Sequence, residues 1–279
     1  DQSQRNSHLA INAAREALKN AKLDPHDVDL IIVATISPDT SFPSVACLVQ
    51  KALHARRATA FDISAACSGY LYGITTAKQF IQNGLYKNAL VVASEKISTY
   101  IDWNDRSTCV LFGDGAGACV LSKVPGDRGI IADYLHAEGH FGELMEIISK
   151  ERKSCDQTVK TMDLPRISMQ GKELFKAAVK SMAHSALTVI KKAGMKLSDI
   201  DWVIPHQAND RILSAVAKKL DLPKEKVFVN IDKYGNMSSA STAVALYEAV
   251  EQGKIKRGDN VVLVTFGAGL VSAANVVKW

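Results

Sequence analysis

The chain has 279 residues, 47% hydrophobic and 23% charged, with a formal net charge of +5. That composition suits a soluble globular protein with a large core, and no apolar run reaches the about eighteen residues a bilayer span needs. The positive charge is not gathered into a block, which argues against nucleic acid while leaving room for a local basic patch facing an acidic partner. Five widely spaced cysteines, Cys47, Cys67, Cys109, Cys119 and Cys155, suit neither a disulfide framework nor a zinc site. Reduced thiols, no metal and a cytoplasmic location are expected.

In chain order, Leu9 to Ala21 reads as an amphipathic helix, followed by a linker with Pro25 and an apolar strand ending at Ala34. The chain opens on Asp1 with no strand ahead of that helix, which predicts further N-terminal residues in the whole protein. A second strand, "ATAFDIS", leads to a helix of small residues that starts near Cys67 and stops at Gly84, and the strand "NALVVAS" follows. Residues 174–205 then repeat the opening order of helix, linker and strand, with Asp199 and Asp201 standing where Asp27 and Asp29 stood. "KVFVNID" is expected to be the matching second strand, and a second small-residue helix is expected from near Asn236 to Gly253. Each of these helices spans seventeen residues from its start to its glycine, a residue that stops helices because it accepts positive φ. The repeat divides the chain into halves at 1–122 and 129–279, joined by the turn-rich "SKVPGDRG". Continuous apolar strands alternating with helices predict an α/β fold with sheets covered on both faces and small-residue helices between them.

Three residues stand where chemistry is possible. Cys67, in "FDISAACSGYLYG", lies at a strand-to-helix junction where the helix dipole favours a thiolate by about 0.3–2 kcal/mol. That is roughly one pKa unit at most, so a further base is needed. Read blandly, it is a small buried hydrophobe. His206, in "DWVIPHQANDRI", follows a strand and can project from the sheet's end, or it can be an ordinary loop polar residue. Asn236 occupies in the second half the place of Cys67 in the first; its plain reading is a helix cap. A twofold relation between the halves would bring all three together. "FGDGAGACVL" runs from glycines straight into a strand, so it is not a dinucleotide loop, which opens a helix. "TFGAGLVSA" links two strands and could leave backbone N–H groups facing an oxyanion.

Taken in order, "AACSG", "DRSTCVLFGDGAGA", "PHQAN", "GNMSSAS" and the terminal "FGAG" resemble the β-ketoacyl-acyl-carrier-protein synthase III family over essentially the whole chain. The resemblance implies a thiolase-like αβαβα layered fold built from two pseudo-duplicated halves, acting as a homodimer. It implies that Cys67 takes an acyl group from acyl-coenzyme A and that malonyl-acyl-carrier protein is then decarboxylated and condensed with it, which starts fatty acid synthesis. His206 and Asn236 would hold the malonyl thioester oxygen, and the N–H groups of Cys67 and Ala268, where the family usually has Gly, the acyl-cysteine oxyanion. Phe42 would reach a primer pocket across the dimer interface, with a core aromatic as its plain alternative. Arg106, Gly171, Ala208 and Asn209 match positions lining the coenzyme A tunnel. Arg211, Lys218 and Lys219 match a docking face for the acidic carrier protein, or form a solvated helix face. The substrate is a coenzyme A thioester and no resident cofactor is implied. The family's tryptophan and arginine that grip the adenine of coenzyme A belong to the stretch before the position of Asp1, so no residue of this sequence is assigned to them. Rival readings are another Cys-His-Asn condensing enzyme (polyketide-type or hydroxymethylglutaryl-coenzyme A synthase), a cysteine hydrolase, and a non-catalytic carrier-binding subunit.

Overall fold

The computed structural model describes residues 3–148 and 165–279, so Cys155 lies outside the described residues. The first half runs α1 (Asn6–Ala21), β1 (Leu30–Ala34), α2 (Val45–Leu53), β2 (Thr59–Ile63), α3 (Gly69–Gln82), β3 (Asn88–Glu95) and β4 (Gly115–Ser122). The second runs β5 (Gly129–Ala137), β6 (Met145–Ile148), β7 (Arg166–Met169), α4 (Gly171–Lys192), β8 (Trp202–Pro205), α5 (Asp210–Lys219), the one-turn α6 (Ile231–Tyr234), α7 (Ala240–Glu251), β9 (Asn260–Gly267) and β10 (Val271–Lys278).

The strands make two four-stranded sheets, ordered β2-β1-β3-β4 and β5-β10-β9-β8, and a β6-β7 hairpin. Strand alternation explains the layers. In β1, Leu30, Ile32 and Ala34 face the central layer, while Ile31 and Val33 face an outer cluster with Ala10, Ala14 and Leu18 of α1 and Val45 and Val49 of α2. In β9, Val261 and Leu263 face the centre, and Val262, Val264 and Phe266 face the outer layer formed by α4 and α5. Helices α3 and α7 lie between the sheets. Small residues let them sit close: a Cβ on Gly69 would stand 3.0 Å from the Ala34 Cβ, and one on Gly117 of β4 would stand 2.7 Å from the Ala243 Cβ.

The repeat extends to single hydrogen bonds. Asp29 Oδ2 accepts from the Asn88 N–H while Asn88 Nδ2 donates to the Asp27 carbonyl. In the second half Asp201 Oδ2 accepts from the Asn260 N–H and Asn260 Nδ2 donates to the Asp199 carbonyl. Each acidic pair thus pins the entry of the strand it precedes, β1 or β8, to the entry of its neighbour, β3 or β9. Two expectations are corrected. "KVFVNID" forms no strand; it runs from the end of a 3₁₀ turn (Lys224–Lys226) through an isolated bridge from Val227 to Val203 into the start of α6. The Gln207 side chain takes up the Phe228 carbonyl and the Asn230 N–H that a ladder would have used. Helix α7 begins at Ala240 rather than near Asn236, because Gly235 and Ser238 both adopt positive φ.

Candidate active site

Cys67, His206 and Asn236 line one cavity of ≈ 140 Å³, with Gly171, Ala208, Asn209, Phe112 and Gly267 also on its wall. All three are more than nine-tenths buried. Cys67 sits in a single 3₁₀ turn (Ala66–Ser68) that runs into α3, behind Ala66 at φ 44°. Burial pushes its thiol up to about 12, the Glu95 carboxylate adds to the rise, and the Ser238 hydroxyl and its own N–H act against it. This corrects the expectation of a thiol lowered by the helix start: loss of hydration outweighs the dipole, which carries only about 0.3–2 kcal/mol.

His206 is held by its own N–H, which donates to the Val264 carbonyl at 2.8 Å, and by its neighbour Gln207, whose Nε2 donates to the carbonyls of Pro205 and Phe228. Burial depresses the imidazole to about 3, so it is neutral near pH 7. Its Nδ1 is sealed from solvent and has no partner among the described residues. Asn236 is not a helix cap. Its Oδ1 accepts from the Ser238 N–H at 2.8 Å, its own N–H donates to the Leu111 carbonyl, and its carbonyl accepts from the Gly113 N–H. That last pair needs close contact with the "FGDG" loop, where a Cβ on Gly113 would stand 2.2 Å from the Tyr234 carbonyl oxygen. With Oδ1 engaged locally, the amide Nδ2 is the group left for a ligand.

A second cavity, ≈ 280 Å³, meets Cys67 from the other side and is lined by Ile36, Ile97, Phe112, Met145, Ile147, Ile167, Ser238 and Ala268. Among the described residues, the backbone N–H groups of Cys67 and Ala268 donate to no carbonyl. Gly267 brings them together, since a Cβ there would stand 2.7 Å from the Cys67 nitrogen. Phe42 is 85% exposed and lines neither cavity. Arg106 is exposed and is likewise off both walls. Arg211, Lys218 and Lys219 are exposed on α5, whose other face buries Ile212, Leu213, Val216 and Ala217. Sequence reasoning missed Gln207, Glu95, Ser238 and the β6-β7 hairpin that roofs both cavities. Gln207 and Ser238 carried a signal, as parts of "PHQAN" and "GNMSSAS"; Glu95 and the hairpin carried none.

The model of the family "3-Oxoacyl-[acyl-carrier-protein (ACP)] synthase III" matches residues 61–139, and that of its C-terminal part matches 190–279. The Beta-ketoacyl-[acyl-carrier-protein] synthase III of Clostridioides difficile (strain 630) is 50% identical, the alignment covering 100% of this chain and 85% of that protein. The chain belongs to this family. Solved synthase III structures agree. That from Aquifex aeolicus VF5 superposes with a TM-score of 0.92 at 48% identity, over 99% of this chain and 85% of the other. That from Thermus thermophilus gives 0.94 at 42% identity, over 100% and 86%. The fold is therefore the thiolase-like one, and the protein is a condensing enzyme that serves to initiate fatty acid synthesis. Membership decides against a cysteine hydrolase and against a non-catalytic subunit.

Proposed function

We propose that Cys67 accepts an acyl group from acyl-coenzyme A and that His206 and Asn236 then drive decarboxylation of malonyl-acyl-carrier protein. The observation that carries this reading is the meeting of these three side chains on one cavity wall beside the N–H groups of Cys67 and Ala268, which donate to no carbonyl among the described residues. In the first stage the sulfur attacks the thioester carbonyl, the two N–H groups hold the oxyanion, and coenzyme A leaves with the thiol proton. The apolar second cavity receives the acyl chain. In the second stage the malonyl thioester oxygen accepts hydrogen bonds from the neutral His206 imidazole and from Asn236 Nδ2. Carbon dioxide departs, the enolate carbon attacks the acyl-cysteine carbonyl, and the Cys67 sulfur leaves and regains a proton. An uncharged imidazole suits this step, because it can polarise the oxygen without trapping the enolate as a protonated enol. The chemistry asks for no resident cofactor.

Gly171, Ala208 and Asn209 stand on the wall along which the coenzyme A arm would enter, with Arg106 outside it. Arg211, Lys218 and Lys219 offer positive charge to an acidic carrier protein. Exposed Phe42 and the outer edge of β2, unpaired among the described residues, suit a homodimer in which a second copy covers them. Among the described residues no helix is long and apolar enough to cross a membrane, in keeping with a cytoplasmic enzyme. The test is incubation with a panel of acyl-coenzyme A thioesters, followed by intact-mass measurement and peptide mapping. The added acyl mass is expected on Cys67 and absent from Cys67→Ala. Acylation of Cys47 or Cys109 in its place would overturn the assignment.

A further inference from the structure

Glu95 closes the apolar strand β3 and is fully buried. Its Oε2 takes three hydrogen bonds from the exit of β1: Ser37 Oγ at 2.6 Å, the Ile36 N–H at 3.1 Å and Thr35 Oγ1 at 3.2 Å. The two hydroxyls must be donors. Ser37 Oγ already accepts from the Lys96 N–H, and Thr35 Oγ1 already accepts from Asn6 Nδ2 and the Ser37 N–H. The other oxygen, Oε1, meets Ser239 Oγ at 2.9 Å. Ser239 follows Ser238, whose N–H holds the Asn236 amide oxygen. Ile36 lines the second cavity beside Cys67.

We propose that Glu95 is a positioning residue for the condensation site, tethering the Asn236–Ser239 segment of the second half to the Thr35–Ser37 turn of the first. The inference rests on the roles proposed for Cys67 and Asn236. Through this tether the amide that faces the malonyl oxygen is held in register with the thiol, although it is carried by the other half of the chain. A carboxylate does this at a cost that a neutral amide would not incur. Its burial raises its own pKa against the pull of its hydrogen bonds, and its charge raises that of Cys67. A glutamine could keep every contact: its oxygen would accept the three donors, its NH₂ would donate to Ser239 Oγ, and Ser239 would turn its hydrogen to the Ala34 carbonyl, 3.1 Å away. Tether and charge are therefore separable.

The experiment compares Glu95→Ala, Glu95→Gln and Ser239→Ala as full chains. Its readouts are malonyl-carrier-protein decarboxylation, acylation of Cys67, and the pH midpoint of Cys67 alkylation by iodoacetamide followed by peptide mapping. Loss of the tether in Glu95→Ala and Ser239→Ala is expected to cut decarboxylation about 10- to 100-fold, the scale of a small misplacement, with Cys67 acylation much less affected. Glu95→Gln is expected to restore most of the decarboxylation lost in the alanine variant and to move the alkylation midpoint to lower pH. If Glu95→Gln loses as much as Glu95→Ala, or if Ser239→Ala decarboxylates like the parent, the tether is refuted. A parent that neither acylates nor decarboxylates would instead sink the functional reading, and the alkylation midpoints would still decide whether Glu95 acts on the thiol.

Discussion

The entrances to α3 and α7 occupy the same place in the two halves, yet they present different groups. In the first half the chain passes through one residue of positive φ, Ala66, and enters the helix almost at once. In the second it passes through two, Gly235 and Ser238, and the helix waits until Ala240. The short entrance leaves a thiol and its own N–H at the helix start. The longer one carries an amide side chain a turn ahead of the helix and braces it against the "FGDG" loop. Duplication supplies the convergence, and the few residues of difference set what each entrance offers: a thiol from one half and an amide from the other, the pair to which the proposed function assigns nucleophile and hydrogen-bond donor.

Mutations should separate the halves' contributions. His206→Ala and Asn236→Ala should each lower malonyl decarboxylation by about 10²–10³, the scale of a lost oxyanion donor, while acylation of Cys67 falls far less. Equal losses in both half-reactions would break the division. Next in size is the docking face. Lys218→Glu with Lys219→Glu should slow reaction with malonyl-carrier protein by about tenfold at low salt, less at high salt, as rim charges steer encounter. Self-acylation by a small acyl-coenzyme A should be nearly untouched. Rates for both substrates across an ionic-strength series check this.

The halves should also fail at opposite ends of the pH scale. His206 is depressed from 6.5 to about 3 in the folded protein. As pH falls through that window the unfolded chain binds a proton the folded one refuses, and stability drops. Cys67 is raised from 9.0 to about 12. As pH rises through that window the unfolded chain loses a proton the folded one keeps, and stability again drops. Urea midpoints should therefore fall less steeply with acid in His206→Gln, and less steeply with alkali in Cys67→Ala, than in the parent. The smallest effect sharpens the symmetry. Gly84 and Gly253 end matching helices at φ 76° and 65°, with open space where a Cβ would go. Alanine at either should cost about 1 kcal/mol for the left-handed conformation alone, and by nearly the same amount in thermal unfolding.

Much of this was legible in the sequence because the repeat is written in residue types with strong local meaning. Gly84 and Gly253 mark helix ends, the Asp27–Asp29 and Asp199–Asp201 pairs mark strand entries, and β1 and β9 are apolar on both faces. Cys67 and Asn236 could be named because each stands seventeen residues before one of those glycines, and His206 because it follows the strand that Asp201 opens. What stayed hidden depends on contacts distant in the chain. Glu95 reads only as a charge at the end of a strand, and nothing local announces that Thr35, Ile36, Ser37 and Ser239 will surround it. "KVFVN" has strand composition, but the Gln207 side chain captures its backbone groups. The thiol's protonation could not be read either, because the dipole is visible in sequence and the loss of water around the sulfur is not.

The sealed, protonated thiol also shapes how the molecule behaves in a reagent bottle. Oxidants and electrophiles attack thiolates, and burial keeps that form of Cys67 scarce. Cys47 is exposed at the start of α2. A non-selective maleimide or a trace of peroxide near neutral pH will therefore meet Cys47 well before it meets Cys67. Losing Cys47 reactivity would mislead anyone counting titratable thiols as a proxy for active sites. Conversely, a fluorophore installed at Cys47 would leave the Cys67 sulfur free, and a substrate-shaped electrophile that brings its own oxyanion into reach of the Cys67 and Ala268 amides would discriminate between the two.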